Sequence, residues 1–218
     1  MKVWQDPPGF VRPTEPRQEA AAGLRAYVPW LRNEGLIDPL RARCSPKAAA
    51  LLARPPLPTA WLDEATINEI YDGVEALRGL DGARAMGLYA SRSALGMLLR
   101  PMLGMYLKLS GSTPASVFSH LPAMAALFIR GIAFSWTPRG PTQGELVIAY
   151  ANRAPPALFQ VWMGILEFAF EMCKTSGRFE LEVDPRGAAG RLSASWSLDL
   201  ADAPSSGDVS FSDDPGRR

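Results

Sequence analysis

The sequence predicts an α+β domain in which an N-terminal helical half packs on a mostly antiparallel four-stranded sheet. From residue 17 to 130 apolar side chains recur at the spacing of helices, and from residue 131 the spacing changes to two, as in strands. The second half then reads strand, strand, apolar helix, strand, strand, which is typical of an α+β arrangement. We therefore expect a single domain over 17–200, with a long apolar helix between two strand pairs.

The helices of the first half are marked by caps and breakers. Residues 16–34 carry apolar side chains at helical spacing. Ser45 followed by Pro46 predicts a helix over 47–54, because serine caps free backbone amides and proline is tolerated at the first helical position. Asp63 or Thr66 is expected to cap the next helix. Further helices are expected over 83–109 and 113–130.

The second half contains four predicted strands and one unusual helix. The strands are expected over residues 132–136, 145–151, 178–183 and 191–198. The helix opens at Pro155 and ends near Gly177, and it is apolar around most of its circumference, so it must be buried on more than one side. We expect the sheet on one side, approached closely at Gly164. The N-terminal helices or a second subunit should cover the other, which leaves homodimerisation and intrachain burial as alternatives.

Both ends of the chain are predicted to lie outside the domain. Residues 1–16 contain four prolines, which oppose helix formation and favour an extended arm. Residues 201–218 are rich in Ser, Asp, Gly and Pro and have little to bury, so a disordered tail is expected.

Composition excludes several classes of protein. Hydrophobic residues make up 47% and charged residues 21% of the 218 residues, and 23 basic side chains almost balance 22 acidic ones, which argues against nucleic-acid binding. The longest apolar run, 157–173, is interrupted by charges and falls short of the roughly 20 residues of a membrane span. No secretory signal is visible in the first 16 residues, and Cys44 and Cys173 fit no metal-ligand spacing. We expect a cytoplasmic protein with reduced thiols.

The motifs of the common enzyme classes are absent from the sequence. It contains no GxxxxGK[ST] or GxGxxG loop, no GxSxG elbow and no HExxH motif. His120 is the single histidine, which rules out zinc sites built from several histidines. We therefore expect no enzyme activity.

Three features of the second half together carry a family resemblance. His120 lies on a predicted helix and precedes Tyr150 by 30 positions, and Tyr150 opens the phrase Tyr-Ala-Asn-Arg. A glycine-containing apolar helix follows, with the phrase Trp-Met-Gly-Ile-Leu-Glu-Phe at 162–168. This order resembles the heme-nitric-oxide-binding domains, in which an axial histidine binds heme iron and a Tyr-x-Ser-x-Arg motif holds the propionates. The resemblance implies those roles for His120, Tyr150 and Arg153.

The chain departs from the family pattern at two places. Asn152 stands for the serine of the motif, and the arginine falls at 153 while Ala154 occupies the family position. Because a one-residue shift in a strand turns a side chain to the other face, Tyr150 and Arg153 cannot both reach one propionate without a bulge. A second alignment, through Leu121, would place the iron-ligand position on Ala125.

Short phrases such as Ala-Trp-Leu-Asp at 60–63 and Ser-Thr-Pro-Ala-Ser-Val-Phe at 112–118 are more similar to uncharacterised, heme-free myxobacterial proteins of this type. Four-vinyl-reductase-type domains and Golgi-transport subunits share that fold. This resemblance implies a non-catalytic regulatory or sensory module, without a cofactor, that binds a small apolar ligand or a protein partner. The alternative is a heme-based NO or O₂ sensor with His120 as the axial ligand.

An apolar ligand would lie between the helices and the sheet. The candidate ligand-binding residues are Met105, Tyr106, His120, Met124, Phe128, Tyr150, Asn152, Arg153 and Trp162. The same aromatic and methionine side chains also fit an ordinary core at helical spacing.

Overall fold

A computed structural model describes residues 4–93 and 113–197. Its helices are α1 (Ala21–Asn33), α2 (Ile37–Arg43), α3 (Pro46–Ala53), α4 (Glu64–Arg92), α5 (Pro114–Ala125) and α6 (Pro156–Met172). Its strands are β1 (Gln18–Ala20), β2 (Trp61–Asp63), β3 (Ile129–Arg130), β4 (Ile132–Gly140), β5 (Gln143–Tyr150), β6 (Ser176–Val183) and β7 (Ala189–Ser197). The helix expected over 83–109 lies outside the described residues from residue 94 onward, as does the predicted tail.

The four-stranded sheet confirms the predicted fold class. Its strands run in the order β4-β5-β7-β6 and every neighbouring pair is antiparallel. The long helix α6 connects β5 to β6, so it lies between the two strand pairs in sequence, as expected. β4 continues past the predicted residue 136 to Gly140, through a register shift at Pro138. An edge strand tolerates proline because one side of it needs no ladder hydrogen bond.

A second sheet, β2-β1-β3, is not predicted by the sequence. Residues 18–20, expected at the start of the first helix, form β1 instead. Gln18 pairs with Asp63 on one side and with Arg130 on the other. The helix expected to reach residue 130 likewise ends at Ala125, and β3 follows. Such short strands exist only through pairing with remote segments, so local periodicity predicts them poorly.

The two longest helices cross in close contact. A Cβ atom at Gly164 of α6 would overlap the backbone oxygen of Arg84, and one at Gly87 of α4 would overlap the backbone oxygen of Val161. The expectation that Gly164 lets the sheet approach is therefore wrong. The close neighbour is helix α4, because only a residue without a side chain lets two helix backbones meet here.

The polar strip of α6 lies along α4. Arg84 Nε donates to Glu167 Oε1 at 2.8 Å, and Arg92 Nε donates to Glu171 Oε2 at 3.0 Å. The apolar remainder of α6 is buried, and it contacts α4, α5, β6 and β7. These intrachain contacts account for both faces of the helix.

Residues 4–16 contain no helix or strand and follow the surface of the four-stranded sheet. Arg12 donates to Asp6 and, through Nη1, to Asp184 Oδ2 at 2.9 Å in the turn between β6 and β7. Arg191 of β7 donates to the backbone oxygen of Gln5 at 2.7 Å, and its guanidinium carbon lies 4.6 Å from the ring centre of Trp4. The arm is thus connected to the last two strands by charged side chains.

Both predicted helix caps are present. The hydroxyl of Ser45 accepts from the backbone amide of Ala48 at 3.3 Å, and Asp63 Oδ1 accepts from the amide of Thr66 at 3.0 Å. Hydrogen bonds from Lys47 and from the Thr66 amide lower the pKa of Asp63 to about 2. The folded state therefore favours the ionised cap.

We predict that Asp63→Ala lowers the free energy of unfolding at pH 7 by about 0.5–2 kcal/mol, the usual cost of losing a cap. The folded-state pKa of Asp63 lies below its ordinary value of 3.8. Its stabilisation is therefore present above about pH 4 and is lost as the pH falls towards 2. Urea unfolding from pH 7 to pH 3 should show the difference from wild type shrinking. Asp63→Asn, which keeps a capping oxygen, should cost less, and equal losses in both variants would contradict the cap.

We predict that Trp162→Ala destabilises the domain by about 3–5 kcal/mol, as a large-to-small change in a core. Trp162 is 7% exposed, and its ring centre lies 5.2 Å from that of Phe134. Chemical denaturation followed by circular dichroism measures the loss, and half-buried Trp61→Ala is the control that should cost less. A Trp162→Ala protein of unchanged stability that had become monomeric would identify this face as a subunit interface.

Candidate ligand cavity

A cavity of about 100 Å³ lies between α1, α5 and α6. It is closed at one side by β1, β3 and α4, and its walls are almost wholly apolar. The described lining residues are Glu19, Ala20, Gly23, Tyr27, Tyr71, Ser91, Val117, Leu121, Met124, Ala125, Phe128, Ile129, Leu158, Val161, Trp162, Ile165, Leu166, Phe168 and Ala169. None of these described residues comes from the four-stranded sheet, so the cavity lies among helices and the small sheet.

The polar groups of the lining lie on β1, α1 and α4. Tyr27 and Tyr71 pack edge to face, with ring centres 6.2 Å apart. Ser91 donates to the backbone oxygen of Gly87 at 3.1 Å, so its hydroxyl hydrogen is used within its own helix. Glu19 contributes a carboxylate and is 6% exposed. This acidic side chain is the unusual member of an apolar surface, because carboxylates are seldom fully buried without a partner.

Glu19 belongs to a buried ion-pair cluster formed by Arg17, Glu19, Asn68, Tyr71 and Tyr150. Arg17 Nε lies 3.0 Å from Glu19 Oε1, and the Tyr71 hydroxyl donates to Glu19 Oε2 at 2.8 Å. Asn68 Oδ1 accepts from Arg17 Nη2. The guanidinium carbon of Arg17 lies 5.4 Å from the ring centre of Tyr150 and 5.7 Å from that of Tyr71. The cluster therefore joins β1 to α4 and to the end of β5.

Burial dominates the electrostatics of this cluster. It raises the pKa of Glu19, and the Arg17 charge and the Tyr71 hydroxyl oppose that rise. Burial also raises the pKa of Tyr71 and of Tyr150 well above the ordinary value for tyrosine. Arginine does not lose its proton in proteins, so Arg17 needs the Glu19 carboxylate as its counter-charge. Both phenols therefore stay neutral beside a charged pair.

The cluster leaves several buried polar atoms without a hydrogen bond. They are Nε and Nη1 of Arg17 and Oε1 of Glu19. Arg17 Nε and Glu19 Oε1 are close enough for an ion pair, but the N–H does not point at the oxygen. Each such group costs roughly 1–3 kcal/mol when water cannot reach it. Unsatisfied atoms beside a cavity mark a place where a ligand could supply the missing partner.

The structure brings three of the residues predicted from the sequence together in the cavity. Met124, Phe128 and Trp162 all line it. Tyr150 lies next to Arg17 in the ion-pair cluster and is 1% exposed. Met105 and Tyr106 lie outside the described residues.

His120 is half-buried on α5 and is not among the described lining residues. Its Nδ1 lies 2.8 Å from the backbone oxygen of Ser116, one turn earlier. A carbonyl oxygen only accepts, so Nδ1 carries the hydrogen and donates to its own helix. Leu121 and Ala125, which the second alignment places in the family phrase, do line the cavity.

Asn152 and Arg153 are exposed and lie outside the described lining of the cavity. The Asn152 amide donates to Glu64 Oε2 at 2.7 Å, and the Arg153 side chain lies over Gly187 in the turn between β6 and β7. Ala154, at the position of the family arginine, is buried with 3% exposure. Because β5 ends at Tyr150, Arg153 lies beyond the strand, and the alternation of strand faces does not apply to it.

Sequence reasoning misses the polar side of the cavity. Arg17 and Glu19 follow Pro16 in a segment whose periodicity predicts a helix, where charged residues usually face solvent. A local signal exists in their spacing, because residues two apart in an extended segment share a face. Arg17 and Glu19 are buried and Gln18 between them is exposed. Burial of that face comes from contacts with α4 and β5, which no local pattern reports.

The two cysteines are free and half-buried. Burial and the nearby Glu69 raise the pKa of Cys44, and burial raises the pKa of Cys173 to about 11. Both thiols therefore stay protonated near neutral pH, in the less nucleophilic form. Within residues 4–93 and 113–197, no three His, Cys, Asp or Glu side chains are grouped so that they could hold a metal ion.

Solved structures similar to this chain are H-NOX domains. The Fe(II) unliganded H-NOX protein from K. algicida matches with a TM-score of 0.66 and 9% identity, over 83% of this chain and 98% of its own. The S. oneidensis H-NOX protein in the Fe(II)NO state matches with a TM-score of 0.61 and 11% identity, over 82% and 99%. An oxygen-binding H-NOX domain related to soluble guanylate cyclases matches with a TM-score of 0.54 and 12% identity, over 81% and 93%.

The chain has the H-NOX fold. This agrees with the resemblance to heme-nitric-oxide-binding domains at the level of architecture. No family model matches the sequence, and no curated protein matches it. In the part of the chain that the structure describes, none of the helices has the length and apolar character needed to cross a membrane.

We predict that Arg17→Met lowers the free energy of unfolding by about 3–5 kcal/mol, because it leaves the Glu19 carboxylate buried without its counter-charge. Combining it with Glu19→Leu should recover most of that loss, since two apolar side chains of similar size replace the pair. Urea unfolding of the wild type, both single variants and the double variant measures the coupling. Losses that simply add would show that the two side chains do not act as a pair.

Proposed function

We propose that this chain is a non-catalytic, cytoplasmic sensory module that binds a small apolar ligand in the cavity between α1, α5 and α6 and does not use heme. The observation that carries the proposal is an apolar cavity inside an H-NOX fold. Ala125, to which the second alignment assigns the iron-ligand position, is among the described lining residues. Between a small ligand and a protein partner, the cavity favours the ligand, because a concave apolar space suits a small molecule.

The size of the cavity argues against heme. Its volume of about 100 Å³ is well below the roughly 300–1,000 Å³ of pockets that hold drug-sized ligands. Trp162 and Phe168 of α6 take up space on one side, and Met124 of α5 lies among the lining residues as well. A porphyrin would have to displace these side chains.

The side chains available to bind iron also argue against heme. Heme iron is usually held by histidine, cysteine, methionine or tyrosine. The described lining contains neither histidine nor cysteine, and His120 is not part of it. Of the other donor types the described lining contains Met124, Tyr27 and Tyr71, and the Tyr71 hydroxyl donates to Glu19. The residues present therefore do not fit an iron site built around an axial histidine.

The charges near Tyr150 do not fit a propionate pair either. The arginine beside Tyr150 is Arg17, and its charge is already balanced by Glu19. A propionate placed there would bring a second carboxylate next to Glu19 in a buried site, where like charges repel strongly. Arg153, the residue that the resemblance suggests, is exposed.

The chemistry of the described side chains supports a binding role over catalysis. The two thiols have raised pKa values. The similar solved structures are named for binding oxygen or for their NO ligation state, and we extend to this chain only the idea of small-molecule binding. The two free thiols also support a reducing, cytoplasmic location.

We predict that purified protein titrated with hemin shows no sharp, stoichiometric Soret band. The expectation follows from the small cavity and from the balanced charge of Arg17. Absorption spectra of wild type and His120→Ala, recorded oxidised and reduced, measure it, and the two proteins should give the same spectrum.

The matched control for the hemin titration is Ser119→Ala, a neighbouring and exposed change on the same helix. A stoichiometric band that is present in the wild type and in Ser119→Ala but lost in His120→Ala would contradict the proposal. That result would establish the alternative, a heme-based gas sensor with His120 as the axial ligand.

A further inference from the structure

The ligand class can be narrowed from the polar side of the cavity. Glu19 is the acidic residue of the described lining, and it is 6% exposed. Most other lining side chains are apolar, and the Ser91 hydroxyl donates to the backbone oxygen of Gly87. A ligand in the cavity therefore meets one strong hydrogen-bond acceptor on an apolar wall.

The two oxygens of Glu19 differ in their partners. Oε2 accepts from the Tyr71 hydroxyl at 2.8 Å. Oε1 lies 3.0 Å from Arg17 Nε, yet it has no aligned donor and is buried. An ionised carboxylate can accept about four hydrogen bonds, so the Glu19 carboxylate, which belongs to the lining, has capacity left for a further donor.

The charge of the pair selects against ionic ligands. Arg17 already neutralises Glu19, so an anion would add an unbalanced negative charge next to the carboxylate, and a cation would add an unbalanced positive one. Burying an unbalanced charge costs far more than burying a neutral polar group. The fitting ligand is neutral and offers a hydrogen, as a hydroxyl or an N–H group does.

The volume limits the size of the ligand. An engineered apolar cavity of about 150 Å³ in another protein holds one benzene molecule, and this cavity measures about 100 Å³. Its walls include the aromatic rings of Phe128, Trp162 and Phe168, which pack well against a flat ring. A single small ring is therefore the upper limit on the size of the ligand.

We propose that the cavity takes a small neutral ring compound carrying one hydroxyl or N–H donor, which hydrogen-bonds to the Glu19 carboxylate. This inference rests on the proposed function, since it names the chemistry of the ligand bound in the same cavity. The polar contact orients the ring, and the apolar walls contribute most of the affinity. A ring of equal size without a donor leaves the carboxylate without that hydrogen bond and binds more weakly relative to its hydrophobicity.

The test compares phenol with toluene, two rings of nearly equal size that differ in the hydroxyl donor. Isothermal titration of the full chain with each compound gives the phenol-to-toluene affinity ratio. Glu19→Gln keeps the shape of the side chain but removes the charge of the acceptor, and charged acceptors bind more strongly than neutral ones. The ratio should fall at least about fivefold in Glu19→Gln.

The matched control is Glu64→Gln, which changes another carboxylate near Arg17 that lies outside the described lining. The phenol-to-toluene affinity ratio of Glu64→Gln should stay within about twofold of the wild-type ratio, because a change at an independent site leaves the binding site unaffected. Nuclear Overhauser effects from the ring protons to the methyl groups of Ala125 and Met124 locate the ligand without any mutation. They also provide a test if Glu19→Gln folds poorly. In that case the wild-type protein must bind phenol next to these two methyl groups at least as tightly as it binds toluene.

The outcomes separate this inference from the function on which it rests. Phenol and toluene bound at Ala125 with a ratio that Glu19→Gln leaves unchanged would overturn the role of Glu19 and leave the apolar cavity site standing. Tighter binding of toluene than of phenol by the wild-type protein, by a large factor, would also overturn the role of Glu19 and leave the apolar cavity site standing. Binding of neither ring, with no contacts to Ala125 or Met124, would overturn both proposals.

Discussion

The contact between α4 and α6 at Gly87 and Gly164 is the constraint on which the architecture depends. Any side chain at either position would overlap the opposite backbone, so both positions must be occupied by glycine. Ion pairs from Arg84 and Arg92 to the polar strip of α6 then fix the rotation of α6 about its own axis relative to α4. With one face fixed on α4, the rest of α6 packs on α5 and on strands β6 and β7. The wall that α6 presents to the cavity is therefore set by a helix crossing.

The second determinant of the architecture is a buried pair of oppositely charged side chains. Arg17 and Glu19 lie in the interior at β1, where isolated charges would be prohibitive. They form an ion pair, Tyr71 donates to Glu19, and Asn68 accepts from Arg17. A buried pair of this kind contributes little net stability compared with apolar side chains of the same volume. Its position beside the cavity suggests a different use, because Glu19 belongs both to the pair and to the lining of the space in which we propose that a ligand binds. In this proposal the Glu19 carboxylate takes part both in the folded structure and in the recognition of the ligand.

Local sequence signals locate most of the helices and strands. Ser45 and Asp63 are identifiable as caps because capping depends on residue type and on the next three residues. The four strands of the larger sheet and α6 are identifiable because their periods are strong over many residues. The β2-β1-β3 sheet is not, since its three short strands come from segments about 40 to 110 residues apart whose pairing is decided by tertiary packing. The prediction that the sheet lies next to Gly164 is wrong for a related reason. A glycine predicts that another element approaches closely, but it does not indicate which element.

The sequence by itself determined the α+β class, the order of elements, the near-complete burial of α6 and the likeness to heme-nitric-oxide-binding domains. It also named Met124, Phe128 and Trp162 as candidate lining. Only the tertiary structure decided that Ala125 lines the cavity while His120 hydrogen-bonds to its own helix, and that Glu19 supplies the polar group. The physical reason is that one residue along a helix turns a side chain by about 100°. Which face meets the cavity therefore depends on how that helix is held by elements far away in the chain.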